Sequence, residues 1–154
     1  MNIKTFNTVV LLLLLTFGSL TVEAGNDDGL PVDIKASLIY VSPGYTAYTA
    51  YGHCAIRMQC PSQRLDYCFT YGLDDSSQSY VSFFSGKGKG RFSTFYTHDY
   101  LREYKDNNRQ VSEYELNLSL DEKRNLWALL DSGISGESIP YDYLKTNCSS
   151  MCVR

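Results

Sequence analysis

The amino-acid sequence predicts an α+β domain built on antiparallel strands with two or three helices, and three observations carry that expectation. Residues 53–60 run with period two: His53, Ala55, Arg57 and Gln59 share one face, and Cys54, Ile56, Met58 and Cys60 share the other. Pro61-Ser62-Gln63-Arg64 reads as a turn into a second strand, Leu65 to Tyr71, which makes a β-hairpin. Ser119-Leu120-Asp121-Glu122 is a capping box, in which Glu122 reaches back to the N-cap. The helix it opens carries Leu126, Trp127, Leu129 and Leu130, and Gly133 is expected to stop it.

The remaining elements follow in chain order. Lys4 precedes an unbroken apolar run from Val9 to Leu15, followed by Gly18, Ser19 and the small-x-small sequence Val22-Glu23-Ala24. So short an apolar core cannot span ~30 Å of hydrocarbon, whereas a signal peptide needs only ~7–15 such residues. Residues 1–24 therefore read as a secretory signal peptide, residues 25–35 as a polar leader with nothing to pack, and residues 36–154 as one domain. No cysteine lies near the cut, so a lipid-anchored start is not expected.

Leu38-Ile39-Tyr40-Val41 is a short β-rich run halted by Pro43-Gly44, and Tyr45 to Tyr51 alternates aromatic with small residues. Phe92 to Tyr96 is expected as a third strand, after a glycine- and lysine-rich loop at 86–91. Thr97 or Asp99 is placed to cap a short helix through Tyr100, Leu101 and Tyr104, ended by Asn107-Asn108. Tyr114, Leu116 and Leu118 then alternate as a strand.

Composition narrows the function. The formal net charge of −3 gives no basic balance that would argue for nucleic acid, and no second apolar stretch argues for a membrane span. Tyrosine dominates the aromatics, 13 against seven phenylalanines and one tryptophan, which suits half-buried strands and the rim of a cleft. The five cysteines are Cys54, Cys60, Cys68, Cys148 and Cys152. In an oxidising compartment an odd count leaves at least one thiol unpaired or paired between chains. None of the spacings is a zinc pattern, so neither a metal nor a cofactor is expected.

The sharpest chemical feature is Thr146-Asn147-Cys148-Ser149-Ser150. Asn, Ser and Thr are N-cap residues, so Cys148 is expected in the first turn of a helix, where the helix dipole and unpaired N–H groups favour the thiolate. The plainer alternative is a buried cysteine or a disulfide to Cys152. A thiol nucleophile needs a base, and the chain offers two histidines. His98 sits beside Asp99 in a polar stretch and reads as a surface or capping residue. His53 opens a strand just after Gly52. A strand histidine facing a cysteine at a helix start is the arrangement that nucleophilic thiol catalysis requires.

An ordered set of five pieces carries a resemblance: Gly52-His53-Cys54-Ala55-Ile56-Arg57, Phe69-Thr70-Tyr71-Gly72, Phe83-Phe84-Ser85-Gly86-Lys87, Leu116-Asn117-Leu118-Ser119 and Asn147-Cys148-Ser149. From about Ala36 to Ser150 the chain resembles the N-terminal periplasmic domain of Lnb-type lipoprotein N-acyltransferases of Gram-negative envelopes. That resemblance implies a permuted papain-like fold, of the NlpC and lecithin-retinol acyltransferase kind, in which histidine precedes cysteine. It places His53 at the histidine of a Gly-His motif and Cys148 at the cysteine of an Asn-Cys motif. The position before Tyr71, often asparagine in such proteins, is Thr70 here, which leaves an orienting duty at that position open.

The implied activity is acyl transfer from a phospholipid or diacylglyceryl donor, through a thioester on Cys148, to the α-amine of a lipoprotein's N-terminal cysteine, with His53 as base. The expected partner is a membrane phospholipid or lipoprotein substrate, and the reading leaves room for peripheral membrane contact. Lys87, Lys89 and Arg91 read first as a solvated turn and second as a contact for anionic lipid heads. A thiol hydrolase or amidase acting on cell-wall peptide is the competing enzyme, and a lipid- or lipoprotein-binding module with an idle cysteine is the competing non-enzyme. Only six residues follow Cys148, whereas full-length relatives continue into further segments, so a truncated, inactive or soluble member is an expectation too.

Overall fold

A computed structural model describes residues 31–73, 81, 85, 88–142 and 144–153. The expected signal peptide and most of the 83–87 piece lie outside the described residues. Among the described residues six strands are formed: β1 (Lys35–Val41), β2 (His53–Cys60), β3 (Leu65–Leu73), β4 (Gly88–Tyr96), β5 (Val111–Glu115) and β6 (Ile139–Tyr141). Three helices accompany them among the same residues: α1 (Thr97–Asp106), α2 (Leu120–Ile134) and α3 (Cys148–Cys152). The strands make one sheet in the order β5-β1-β2-β3-β4-β6, with every neighbouring pair antiparallel. The expected α+β class is thus the observed one.

The β2–β3 hairpin follows the sequence pattern. Cys60 stands opposite Leu65 and Ala55 opposite Thr70. A 3-10 turn at Pro61–Gln63 joins the strands, closed by Arg64 in the left-handed region (φ 56°), whose N–H donates to the Pro61 carbonyl at 3.1 Å. Period two in β2 then divides two apolar clusters between the faces of the sheet. Ile56 and Met58 pack with Ile34, Ala36, Phe69 and Leu130, joined by Leu126 and Trp127 of α2 and by Cys152 of α3. Ala55 packs on the other face with Ile39, Val41, Cys68, Tyr100 and Tyr104, so α1 covers that side.

A polar brace crosses the α1 face. Arg57 donates from Nε and Nη2 to both oxygens of Asp66 (2.8 and 2.7 Å) and from Nη1 to Glu113 at 2.8 Å. It therefore ties β2 to β3 and, over β1, to β5. The Thr97 hydroxyl donates to Asp66 at 2.6 Å and brings in the start of α1. The guanidinium in this network holds the Asp66 carboxyl below its usual range.

Several boundaries differ from expectation, each for a local reason. β4 begins at Gly88, so Lys89 and Arg91 are strand residues where a loop was expected. The run lacks aliphatic residues because Gly90 leaves room for the Tyr71 phenol to lie against its backbone. The N-cap of α1 is Tyr96, with no side-chain cap, because the Thr97 hydroxyl is committed to Asp66 and Asp99 accepts from Arg102 at 2.6 Å. β5 ends at Glu115, and Leu116 and Leu118 instead pack into the α2-side cluster. Gly133 lies inside the last turn of α2, where a Cβ would meet the Phe92 ring at 3.2 Å, so its small size serves packing and the helix continues to Ile134. The core also reaches into the leader. Ile34 is buried, and the Asp33 carboxylate accepts from the Ser62 N–H and hydroxyl, both at 2.7 Å.

Gly90→Ala should destabilise the domain by about 1–3 kcal/mol, because a methyl group there collides with the stacked Tyr71 ring. Urea unfolding checks this, and an unchanged midpoint would contradict the packing described.

Candidate functional site

β1 and β2 pair so that Val41 stands opposite His53. Between them, Gly52 adopts φ 81°, and a Cβ there would lie 2.6 Å from the Val41 carbonyl oxygen. Both the left-handed backbone and the close approach call for glycine, and together they set the angle at which His53 enters the strand. His53 shares its face with Ala55, whose partner across the hairpin is Thr70, so Thr70 lies diagonally across from the imidazole. Nε2 of His53 is 2.6 Å from the Thr70 hydroxyl. The position left open by the Asn-to-Thr departure therefore holds the ring directly.

Beneath this pair the Tyr100 hydroxyl is buried and makes no hydrogen bond of good geometry. Its ring meets Tyr104 edge-on at 5.0 Å. Burial pushes Tyr104 upward in pKa, and the nearby thiol of Cys148 adds to that. Arg109 stands over the Tyr104 ring, 5.1 Å from its centroid, and donates from Nε (2.9 Å) and Nη2 (2.6 Å) to the Ser42 carbonyl. Burial, with a further contribution from the Arg109 cation, pushes the His53 imidazole down to about 4. His53 is consequently neutral at physiological pH, the form that can accept a proton.

Cys148 is the first residue of α3, as the sequence predicts, and it is buried. Asn147 is the N-cap: its side chain accepts from the Ser150 N–H at 3.0 Å, while the Asn147 N–H donates to the Ser150 hydroxyl at 2.9 Å. This closed box fixes the first turn of a helix only five residues long. α3 packs against β2 and β3. The Ser149 hydroxyl stands 4.0 Å from the Cys148 sulfur and donates to Cys54 at 3.5 Å, next in sequence to His53.

Cys148 acts electrostatically on Tyr104 of α1, on Tyr141 of β6 and on Cys54 and Cys152. The strand registers put Val41, His53, Gly88 and Tyr141 at one end of the sheet, so Cys148 belongs to that same end. His53 projects on the α1 face, whereas Cys152 of the same short helix as Cys148 joins the α2-side cluster.

All five cysteines are free thiols. Burial pushes Cys68 up to about 11 and Cys152 up to about 12, and raises Cys54 as well, so these three keep their protons at neutral pH. His98 lies on the surface of α1, its Nδ1 3.3 Å from Asp99. Among the described residues there is no His, Cys, Asp and Glu cluster fit to hold a metal ion, and no helix long and apolar enough to cross a membrane.

Sequence reasoning missed Arg109 and Tyr104. Tyr104 was legible only as a helix position, and Arg109 reaches the site through a hydrogen bond to Ser42, 67 residues away, for which no local pattern exists. Thr70 could have been fixed from the sequence, because the Cys60–Leu65 turn sets the register that places it beside His53.

A half-buried histidine opens β2, a buried cysteine opens a capped helix further along the chain, and both lie on one antiparallel sheet. The chain matches the family model of the Lnb N-terminal periplasmic domain over residues 31–154 and belongs to that family, which makes it a domain of the periplasm and cell envelope. No curated protein and no solved structure matches the chain.

His53 should titrate near pH 4 by NMR, about two units below an ordinary imidazole. Between pH 6.5 and 4 the unfolded chain binds a proton that the folded protein does not, so stability is complete above about 6.5 and declines toward 4, by about 3 kcal/mol at most. The decline should vanish in His53→Asn. Asp66, with its carboxyl held below the usual range, contributes its own acid loss at lower pH. Urea unfolding of both proteins at pH 7 and 4.5 measures the difference, and equal acid losses would refute the assignment.

Proposed function

We propose that this domain transfers an acyl chain by thiol catalysis, with Cys148 as nucleophile, His53 as base and a lipoprotein's N-terminal amine as acceptor. The observation that carries the reading is the placement of Cys148 at the start of a helix held by the Asn147–Ser150 box and packed on β2, the strand that His53 opens, in a chain of the Lnb family.

The mechanism uses one of the two tautomers that the His53–Thr70 contact allows. With the proton on Nε2, the ring donates to the Thr70 hydroxyl at 2.6 Å and leaves the Nδ1 lone pair for the thiol proton. The sulfur attacks the ester carbonyl of the donor, forming a C–S bond as the C–O bond to glycerol breaks. The departing alkoxide takes the proton from His53, leaving a thioester and a lysolipid. The acceptor amine then attacks the thioester and forms the C–N bond, with its proton passing through His53 to the released thiolate. An imidazole neutral at pH 7 is ready for the first proton transfer.

Cys148→Ala and His53→Ala should each lower acyl transfer by about a thousandfold or more, and the double variant should be little worse, since residues of one mechanism are strongly non-additive. Cys54→Ala and His98→Ala should change the rate far less. The readout is mass spectrometry of the Cys148 thioester and of the N-acylated lipoprotein. A transfer rate unchanged by Cys148→Ala would overturn the thiol mechanism, and a cut peptide as product would reassign the site to hydrolysis.

Export is the second element of the proposal, resting on Lys4, the Val9–Leu15 core and Val22-Glu23-Ala24. Protein recovered from the periplasm should begin at or near Gly25 on N-terminal sequencing, and recovery of Met1 there would refute cleavage.

A further inference from the structure

We propose that Cys54 and Cys152 are a disulfide-forming pair, oxidised to a bridge that ties α3 to β2 and leaves Cys148 as a free thiol. The family is periplasmic, which supplies an oxidising setting, and the inference is independent of any reaction at Cys148.

The fold sets aside the other pairings of the five cysteines. Cys60 ends β2, six residues from Cys54 along a strand that rises about 3.3 Å per residue, and its sulfur lies 3.4 Å from both Asp33 and Ser62. Cys68 belongs to the α1-side cluster, 3.5 Å from the Thr97 hydroxyl. Cys148 and Cys152 stand four apart on one helix, where Cβ atoms are about 5–6 Å apart, and a disulfide needs about 3.5–4.5 Å. A bridge within α3 is therefore strained. The rival that remains is Cys54 with Cys148.

Placement favours Cys152 over Cys148. Cys54 alternates with Ile56 and Met58, so it projects on the face of the sheet where Cys152 packs. The Ser149 hydroxyl donates to the Cys54 sulfur at 3.5 Å. Ser149 and Cys152 are three apart on α3, so they share the side of the helix that meets β2. Cys54 also acts on Cys152 more strongly than Cys148 does from the same helix. Both members of the pair are half-buried and open to an oxidant, whereas Cys148 is buried. Cys148 is fixed in the Asn147–Ser150 box, while Cys152 ends the helix, where the backbone is freest to take up the small shift a bridge needs.

The oxidant is a second disulfide, such as oxidised glutathione or the disulfide of a thiol oxidoreductase. The hydrogen bond from Ser149 favours the Cys54 thiolate, which attacks the oxidant, forms a mixed disulfide and expels one thiol. The Cys152 thiolate then attacks the Cys54 sulfur, closes the S–S bond and expels the second thiol. Two electrons and the two S–H protons have passed to the oxidant. Burial keeps both cysteines protonated at neutral pH, so bridging is slow, and the same burial makes each a poor leaving group toward a reductant. The finished bridge is a lasting one. It closes a loop of about 100 residues, and long loops are where a cross-link most restrains the unfolded chain. A helix of only five residues thereby gains a covalent hold on the sheet, and Cys148 with it.

The test takes the full chain, reduced and then equilibrated with oxidised glutathione, with free thiols alkylated in urea before peptide mapping by mass spectrometry. Cys54 and Cys152 should appear in one linked pair of peptides, with Cys60, Cys68 and Cys148 outside any protein bridge. The oxidised protein should melt roughly 10 °C above the reduced one. Cys54→Ser and Cys152→Ser should each abolish that difference, and the double variant should lose no more than either, because the bridge is one unit. Alkylation or glutathionylation of Cys54 and Cys152 in place of their linkage would overturn the proposal, and so would a bridge that includes Cys148. A linked pair that melts no higher than the reduced protein would overturn its role as a tie between α3 and β2. The mapping is done on the unaltered sequence, so it decides the pairing even if a serine variant fails to fold.

Discussion

The register of β2 is the constraint on which the rest of the structure depends. Successive residues of a strand face opposite sides of the sheet, so a slip of one residue would send His53 to the α2 side and Cys54 to the α1 side. Two things forbid it. Ile56 and Met58 are buried against α2, and Ala55 is buried against α1, so a slip would put Arg57 into an apolar cluster. Arg57 is also bound to Asp66 on one neighbouring strand and to Glu113 beyond the other, which fixes three strands at a single point. Half-exposed ion pairs of this kind add little stability by themselves. Their value here is that they can form in one alignment only.

The two sides of the sheet provide different chemistry to the end where the site lies. On the α1 side, tyrosines and a threonine hydroxyl surround a neutral imidazole, with a guanidinium nearby. On the α2 side, three thiols gather around the start of α3, and burial keeps Cys54 and Cys152 protonated. Cys54 and Cys152 are thereby poor nucleophiles. The open end of β2 is the place where these environments adjoin.

Much of the fold was legible in the sequence because it rests on local rules. The hairpin turn, the capping box at Ser119 and the Asn147 cap are each written within a few residues, and all three are present. β4 was half hidden. Its first residues are glycines and cations, whose strand character comes from pairing with β3 and from the Tyr71 ring laid over Gly90. The start of α1 misled for a similar reason, since the Thr97 hydroxyl serves an aspartate 31 residues away instead of its own helix. At the site, Cys148 and His53 stand out by residue type and neighbours, whereas Arg109 and Tyr104 are recruited by chain closure over long separations, which no short pattern encodes.

The outermost strands bear on how the protein behaves in a crowded compartment. A sheet with free edges can recruit strands of other chains and grow into aggregates. Here β5 is five residues long and carries Glu113 and Glu115, and β6 is three residues long with Pro140 at its centre, where no N–H can be offered. Short, charged or proline-bearing borders give a foreign strand little to pair with. The sheet can therefore leave the end that bears His53 open without its sides becoming sites of polymerisation.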